Sequence, residues 1–533
     1  MLVNRLFFSF SIFLCLLQTI TSSIMPASYE YYSPVQPVKS IIISNIYAED
    51  INGDLIKSNE QTIKKIKYII KEIDKNIEFI ELVQERTANS RGTDLQFSLK
   101  KDDKICSNKS CTLETPQDIM FLRDPFIPVA VFVSDKMYTE MNVLSKYKCF
   151  GASCSPLDQY KLKTVLGSGT VFNDIPGNDQ NMGGNLLALP GRTFLSIDDP
   201  QKESKGSAFM YSPKFNNYRK IVLDGDELLG IGHVDEMIQI IPDPTSRCGA
   251  ALVVASPSLF LDKFGGYKLS YFKDNKENYN RSIYYSKLQD FTSHIGRLFD
   301  KEEIKQKDLK YAEYYKKLFN LSDSNASYSE VKSYLNANKE KITLKMLIAP
   351  YVDYLEEKIQ KNIDRIRNNY VCPAQDNIAK IKLNGKEVLV KDSIRVSKPD
   401  NSLSVYRMPV MWLKGFTLSS IENDDAYSIF PNFVNSIIAP IYEYYPGTQQ
   451  LRAISVHVLI PDVYVLNDAY KTSARKMIGD LYSGIEQFIV KRNNIAGLKI
   501  EYRIVPHFVE SSFYGSGRGE LHCATNEIRQ FFY

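Results

Sequence analysis

Near its C-terminal end the chain carries the run Gly515-Ser516-Gly517-Arg518-Gly519-Glu520-Leu521-His522-Cys523-Ala524-Thr525-Asn526. Three glycines in five positions allow backbone conformations and close approaches that a side chain would prevent. The cysteine that follows lies on a glycine-rich turn rather than within an apolar helix or strand. This setting is typical of a nucleophilic thiol, although a buried or disulfide-bonded cysteine is an equal alternative on this stretch alone.

The composition is that of a large globular protein. The chain has 533 residues, of which 44% are hydrophobic, so it can bury a full core without needing disulfides. This length favours three or four domains or one large α/β domain. The formal net charge is +4, and lysine and glutamate are interspersed. This pattern argues against a dedicated nucleic-acid binder.

The first residues predict an export signal. Arg5 gives a positive start, residues 6–17 form an apolar run, and residues 19–23 are small and polar. The apolar run is too short for a membrane span, and no other stretch approaches the required length. We therefore expect a signal peptide at residues 1–23, a linker at 24–37, and a secreted, soluble mature protein without stable membrane insertion.

The number of cysteines predicts one free thiol. Eight cysteines are present, and removal of Cys15 with the signal leaves an odd number. Two pairs of cysteines that are near each other in the sequence could form disulfides that close small loops. This leaves a third pair with a longer sequence separation. This set of pairings is Cys106 with Cys111, Cys149 with Cys154, and Cys248 with Cys372. Cys523 would then remain a free thiol, as a catalytic role requires.

From residue 38 onward, strand and helix patterns alternate. A β-branched run at 40–47, an amphipathic helix at 59–74 and a strand at 77–83 predict a β-α-β unit. Further predicted elements are strands at 129–133, 186–190, 238–241, 250–258, 408–413, 456–460 and 500–504, and a helix at 474–490. Residues 265–370 contain helices, including 311–319 and 344–366, and are expected to be a surface elaboration. The expected class is α/β.

Three polar residues near strand ends join Cys523 as candidates for chemistry. Asp124 precedes the strand at 129–133, and His233 and Asp235 precede the strand at 238–241. On an extended segment His233 and Asp235 would point to one face. A turn role for Asp124 and a structural His–Asp pair are the alternatives. His457 is expected to be a core histidine, and no zinc-type spacing or E-x-x-H motif occurs.

These side chains together suit a planar, cationic substrate. Two aspartates can accept the hydrogen bonds of a guanidinium from opposite edges. A thiolate can then attack the central carbon while histidine transfers protons.

Four blocks of sequence, in this order, resemble the catalytic domain of protein-arginine deiminases. They are His233-Val-Asp-Glu236, Ala255-Ser-Pro-Ser258, Ile429-Phe-Pro-Asn-Phe-Val-Asn-Ser-Ile-Ile438 and Gly519-Glu-Leu-His-Cys-Ala-Thr-Asn526. The last block is specific, and the likeness covers about residues 38–533. It implies the pentein fold, a five-bladed α/β propeller of ββαβ modules around a funnel-like site. The helix-rich stretch at about 265–370 is expected to be an insertion in this fold. The chain departs from the animal enzymes of the family in having no room for their N-terminal immunoglobulin-like domains.

The resemblance implies a role for each candidate. Cys523 would be the nucleophile, His233 the general acid and base, and Asp124 and Asp235 the pair that binds the guanidinium. The reaction would pass through a tetrahedral intermediate, loss of ammonia and a covalent thiouronium-type adduct, which water converts to citrulline. The substrates would be arginine-containing proteins or peptides, which lose one positive charge per reaction.

Two further residues match the walls of the family's substrate site. Phe121 stands where the family has an aromatic residue beside the aliphatic stem of the substrate. Ile231 matches the apolar residue opposite it. Both are therefore expected to bind substrate.

The sequence departs from the family where peptides and metal bind. The arginine that grips substrate carbonyls there has no counterpart in residues 172–185. The carboxylates that bind activating calcium are also missing, since Arg123, Pro125 and Ile127 flank Asp124 and Leu187 follows the Gly-Asn-Leu run. We therefore expect no cofactor, no bound metal and no requirement for calcium.

Other functions remain open at this point. A deiminase of agmatine or free arginine shares the Gly-His-Val-Asp type of motif and a His-Cys near the end, and Arg123-Asp124 is similar to its first motif. A cysteine protease would need cysteine and histidine but not two aspartates facing the substrate. A non-catalytic pentein that serves as a binding module is the third alternative. The sequence leaves the oligomeric state open.

Overall fold

The computed structural model describes most of the chain in separate stretches. They are residues 28–49, 55–86, 95–101, 104–105, 113–115, 126–133, 136–144, 170–175, 183–198, 207–225, 233–272, 306–320, 328–372, 377–383, 385–394, 403–414, 426–428, 430–511 and 521–532. The expected signal peptide, the two short-range cysteine pairs, and Phe121, Asp124 and Ile231 lie outside the described residues.

The strands run from one end of the described chain to the other. The first twelve are β1 (Ser28–Tyr31), β2 (Val38–Glu49), β3 (Leu55–Ser58), β4 (Glu78–Arg86), β5 (Leu95–Lys101), β6 (Lys104–Ile105), β7 (Leu113–Thr115), β8 (Phe126–Val133), β9 (Lys136–Leu144), β10 (Thr170–Ile175), β11 (Leu187–Leu189) and β12 (Thr193–Asp198). The others are β13 (Arg219–Asp224), β14 (Ile238–Pro242), β15 (Ala250–Ser256), β16 (Asn377–Leu383), β17 (Lys386–Lys391), β18 (Ser404–Pro409), β19 (Trp412–Lys414), β20 (Ala426–Ser428), β21 (Ile437–Tyr444), β22 (Leu451–Pro461), β23 (Glu501–Val509) and β24 (Thr525–Arg529).

Six α-helices lie between these strands in the described residues. They are α1 (Glu60–Ile73), α2 (Pro257–Phe264), α3 (Gln306–Phe319), α4 (Tyr328–Ala337), α5 (Leu344–Asn369) and α6 (Asp468–Ile495). The predicted apolar face of α1 is confirmed, because Ile63, Ile66, Ile69 and Ile70 are all buried. No described helix combines sufficient length with sufficient apolar character to span a bilayer.

Five of the sheets repeat one pattern, an antiparallel pair followed by a parallel strand. They are β8-β9-β10, β11-β12-β13, β14-β15-β18, β21-β22-β23 and β24-β2-β4. In the fifth, β24 from the C-terminal end pairs with β2 from the N-terminal end, with Thr525 opposite Ile43. The fold is therefore a mixed α/β fold built from a repeated three-stranded unit.

Two predictions about local structure are corrected. The single strand expected at 408–413 is two strands, since β18 ends at Pro409 and β19 begins at Trp412. Proline has no N–H to continue a strand ladder. Part of the expected linker belongs to the fold, because β1 pairs with β8 and Val35 is fully buried.

The helical region is not the surface elaboration that the sequence predicted. Tyr315 and Phe319 of α3 and an apolar stripe on α5 are buried in the main hydrophobic core. Composition alone does not reveal this stripe, because charged and polar residues lie between its apolar members. A disulfide between Cys248 and Cys372 joins the turn before β15 to the segment after α5, with the two Cα atoms 5.0 Å apart. The predicted pairing of these two cysteines is confirmed.

Two of the five histidines form a pair on neighbouring strands. His457 Nδ1 of β22 and His507 Nε2 of β23 lie 2.9 Å apart, and the rings are nearly parallel. Burial and, to a smaller extent, the neighbouring His507 together lower the pKa of His457 to about 4. The pKa of His507 is also lowered, by burial and by Lys65 of α1. The folded protein thus favours a neutral pair.

This pair predicts a loss of stability in mild acid. A histidine whose pKa falls on folding contributes stability above the unfolded value of about 6.5, and this stability is lost as the pH falls toward the folded value. In urea unfolding, His457→Gln should lose less stability than the wild type between pH 7 and pH 4.5. Carboxylates elsewhere titrate in both proteins, so their effect cancels when the losses in free energy of unfolding are compared. An equal fall in both proteins would contradict this account.

Candidate active site

Cys523 lies in a tight turn that β24 holds against β2. Thr525 closes the turn, because its backbone N–H donates to the carbonyl of His522 and its hydroxyl donates to the carbonyl of Leu521, at 3.3 and 3.2 Å. Cys523 is 1% exposed, and it is not disulfide-bonded. The structure thus agrees with the prediction that this cysteine keeps its thiol.

His233 and Asp235 reach the same point from the segment before β14. The backbone of His233 is extended, but Val234–Glu236 form a 3-10 turn, so the extended segment expected from the sequence is wrong. The turn closes because the N–H of Glu236 donates to the carbonyl of His233. One ligand atom each of His233, Asp235 and Cys523 lies within 4.8 Å of the other two. All three side chains are buried.

Asp235 borders the sulfur directly. Its two carboxylate oxygens lie 3.8 and 3.6 Å from Cys523 Sγ. The second oxygen is also 2.7 Å from Nδ1 of His522, the residue before the cysteine. A carboxylate has about four acceptor positions on its two oxygens, and the imidazole of His522 contacts one of these oxygens.

Asn435 connects the two segments. Its side-chain N–H group donates to Cys523 Sγ at 2.9 Å and to the backbone carbonyl of Asp235 at 3.4 Å. Its side-chain oxygen accepts from the backbone N–H groups of His522 and Cys523, at 3.0 and 3.2 Å. One buried amide therefore fixes both the cysteine turn and the aspartate segment.

Sequence reasoning assigns no role to Asn435 or His522. In the sequence Asn435 is only part of a matching block, and His522 is only a neighbour of the cysteine. One signal was available, namely two asparagines three residues apart just before the buried strand β21. Asn432 uses this spacing, since its side chain accepts from the N–H of Asn435 and donates to the carbonyl of Glu236.

Gly184 lies against the ring of His233. A Cβ atom at this position would lie 2.5 Å from His233 Nδ1, so the close approach needs glycine. The neighbouring Asn185 fixes this loop, because its side chain donates to the carbonyl of Ile197 and accepts from the N–H of Ile197, at 3.0 and 2.8 Å. Gly184 thus allows the loop to lie against the imidazole of His233.

The same three donors could hold a metal ion. Thiolate, imidazole and carboxylate are the ligands that Zn²⁺ prefers, whereas Ca²⁺ needs six to eight oxygens. His233, Asp235 and Cys523 supply one nitrogen, one sulfur and at most two oxygens. The cluster therefore fits zinc better than calcium. Asp124, Phe121 and Ile231 are outside the described residues, and their place relative to this cluster stays a prediction.

Comparisons with known proteins find similar structures but no similar sequence family. No family model and no curated protein sequence matches the chain. A solved structure of a candidate peptidyl-arginine deiminase is 10% identical, covers 94% of this chain and 99% of its own, and has a TM-score of 0.37.

Two further matches name related activities. A candidate arginine deiminase from Porphyromonas gingivalis is 10% identical, with 95% and 100% of the two chains covered and a TM-score of 0.41. The agmatine deiminase of Enterococcus faecalis is 10% identical, with 94% and 96% covered and a TM-score of 0.37. The activities in these names are of the type expected from the sequence resemblance. The TM-scores are too low to carry an assignment of activity, which therefore depends on the site itself.

The contact between Gly184 and His233 predicts a costly substitution. Gly184→Ala should lower the free energy of unfolding by about 1–3 kcal/mol, because an extra carbon is forced into a packed site. Urea unfolding measures this loss, and a crystal structure of the variant should show the His233 ring displaced.

Gly479→Ala is the matched control. Nothing lies within 4 Å of a Cβ at Gly479, and alanine is favoured over glycine within a helix by about 0.5–1 kcal/mol. This variant should be at least as stable as the wild type. An unmoved His233 ring and full stability in Gly184→Ala would show that the contact does not constrain the site.

Proposed function

We propose that the protein is a guanidine deiminase in which Cys523 is the nucleophile. The observation that carries this proposal is the position of the Asp235 carboxylate, 3.6 Å from the sulfur in a fully buried site. A carboxylate beside a thiol disfavours the thiolate while the site is empty. A guanidinium bound by the same carboxylate would reverse this effect and place its own carbon next to the sulfur.

This geometry favours a deiminase over a cysteine protease. In a protease the acidic or amide group lies behind the histidine and orients it, away from the sulfur. Here the carboxylate of Asp235 itself faces the thiol. A neutral peptide bond offers no positive charge to offset that carboxylate, whereas a guanidinium does.

The proposed reaction has two halves. The Cys523 thiolate attacks the guanidinium carbon, and His233 donates a proton to the amino group that leaves as ammonia. The sulfur is then bonded to carbon in a thiouronium-type adduct. Water, which gives up one proton to His233, adds to this carbon. The carbon–sulfur bond then breaks, the thiolate leaves, and the remaining hydroxyl proton goes to solvent, which releases the ureido product. Asp124 is proposed to bind the guanidinium opposite Asp235, with Phe121 and Ile231 on either side of the substrate stem.

We propose arginine in proteins or peptides as the substrate, in a secreted protein. The disulfide between Cys248 and Cys372 supports an oxidising compartment, because such bonds rarely persist in the cytosol. A small guanidine such as agmatine or free arginine is the second candidate. Such a substrate has no peptide carbonyls, so it does not need the arginine that is missing from residues 172–185. No cofactor is required by the proposed steps.

The repeated sheets suggest how the site is assembled. We infer that the five three-stranded units are the blades of a propeller, which β24 completes by pairing with β2. In support, the segments that carry His233, Asn435 and Cys523 each lie next to the first strand of a different unit.

The nucleophile and the carboxylate can be tested by substitution. Cys523→Ala should abolish ureido formation from arginine substrates without loss of the fold. Asp235→Asn should cost at least about 3 kcal/mol in kcat/KM, because a buried charge-assisted pair to the guanidinium is lost. Asp262→Asn, an exposed aspartate on α2, is the control and should be unchanged.

Two outcomes would contradict these assignments. Substantial turnover by Cys523→Ala would exclude Cys523 as the nucleophile. A loss of less than tenfold in Asp235→Asn would exclude a direct contact between this carboxylate and the guanidinium.

The proposed reaction should not need calcium. Ureido formation should be equal in excess chelator and in millimolar calcium, because Arg123, Pro125, Ile127 and Leu187 offer no side-chain oxygen to a hard cation. A strict calcium requirement would show that other carboxylates form a metal site.

The preferred substrate is tested by an assay that compares a mid-chain peptidyl arginine, a C-terminal arginine, free arginine and agmatine side by side. Turnover of the free compounds alone would replace the peptidyl substrate by the small guanidine.

A further inference from the structure

A cleft of about 650 Å³ lies between α6 and β18. One wall is formed by residues 403–407, and the other includes Leu481, Gly484 and Phe488 of α6. None of the residues around Cys523 that are described above lines it. Its volume falls in the range of about 300–1,000 Å³ that is typical of ligand sites.

The cleft runs along the edge of a sheet. Successive residues of a strand point to opposite faces, so a cleft lined by Leu403 and by the first four residues of β18 follows the strand edge. Among the described strands, β18 is the last in the order β14-β15-β18. These five residues span about 13 Å, and the stretch of α6 from residue 481 to 495 spans about 21 Å. This elongated shape suits an extended chain better than a compact small molecule.

The lining is positively charged. Arg367, Arg407, Lys491 and Arg492 lie along it, and none of the described residues that line it carries a carboxylate. The acidic partners lie behind the wall, since Arg407 contacts Glu356 at 3.3 Å and Arg492 contacts Asp243 at 3.4 Å. Arg367 and Lys491 are exposed at the mouth. The open side of the cleft is thus complementary to an acidic ligand.

Apolar side chains are exposed beside these charges. Phe488 is 52% exposed and Ile495 is 77% exposed, and both line the cleft. Phe488 contacts the ring of Tyr406 edge-on, which joins the two walls. The cleft therefore offers apolar contacts as well as positive charge.

Gly484 lines the cleft and adds no side chain to it. A glycine in the middle of a helix costs about 1 kcal/mol relative to alanine. Close packing does not explain this glycine, because nothing lies within 4 Å of where its Cβ would be. Any larger side chain at this position would project into the space between α6 and β18.

We propose that this cleft binds an extended acidic peptide, which adds to the edge of β18. Its backbone would pair with the strand, as in other cases of β-strand addition. Its apolar side chains would contact Phe488, and its carboxylates would lie near Arg367 and Lys491. The peptide site is separate from the deiminase centre and does not depend on the proposed reaction.

The probe is a fluorescein-labelled nine-residue peptide of alternating glutamate and valine, measured by fluorescence anisotropy against the full chain. Saturable binding that weakens with added salt is expected, because exposed charges are screened. Gly484→Leu should weaken binding at least tenfold by filling the cleft. Gly479→Leu is the matched control on the same helix, does not line the cleft, and should stay within twofold of the wild type.

Two further variants separate charge from catalysis. Arg367→Glu combined with Lys491→Glu should lose the acidic peptide and gain a lysine–valine peptide. Cys523→Ala should bind the acidic peptide as the wild type does, whatever its effect on deimination. The proposal is overturned if the wild type shows no saturable binding, if Gly484→Leu binds equally well, or if the wild type binds phosphatidylserine vesicles but not the peptide.

Discussion

The hydrogen bonds of one buried amide, that of Asn435, hold the candidate site together. The amide oxygen accepts from the N–H groups of His522 and Cys523, and the amide nitrogen donates to the cysteine sulfur and to the carbonyl of Asp235. These partners come from segments some two hundred and ninety residues apart. A shift of either segment would leave a buried polar group without a partner, at a cost of about 1–3 kcal/mol. The relative position of thiol and carboxylate is therefore well determined.

The repeated three-stranded unit explains why such distant segments meet. In three of the units the first strand is preceded by a short segment that carries a site residue, namely His233, Asn435 or Cys523. The last of these strands, β24, pairs with β2 from the other end of the chain. Cys523 is thus positioned by contacts of high sequence separation. Such contacts form only when the whole chain is folded.

Much of this could be predicted from the sequence, and the remainder has a physical reason. The isoleucine face of α1, the strands β14 and β15, and the pairing of Cys248 with Cys372 follow from periodicity and cysteine number. The roles of Asn435 and Gly184 do not, because each depends on a partner remote in the chain. The burial of α5 was missed for the same reason. Its apolar stripe is diluted by charged residues and becomes visible only against α2 and the sheets.

The contact between His522 and Asp235 has a further consequence for the proposed chemistry. If the imidazole carried a proton on both nitrogens, its charge would already neutralise the carboxylate, and a guanidinium would meet a repelling cation. If the imidazole is neutral, with its proton on Nδ1, it still donates to the 2.7 Å hydrogen bond and leaves the carboxylate its charge. Binding of the proposed guanidinium therefore requires that His522 leave this carboxylate its charge. His522 thus orients the carboxylate, and in the proposed reaction proton transfer is the role of His233.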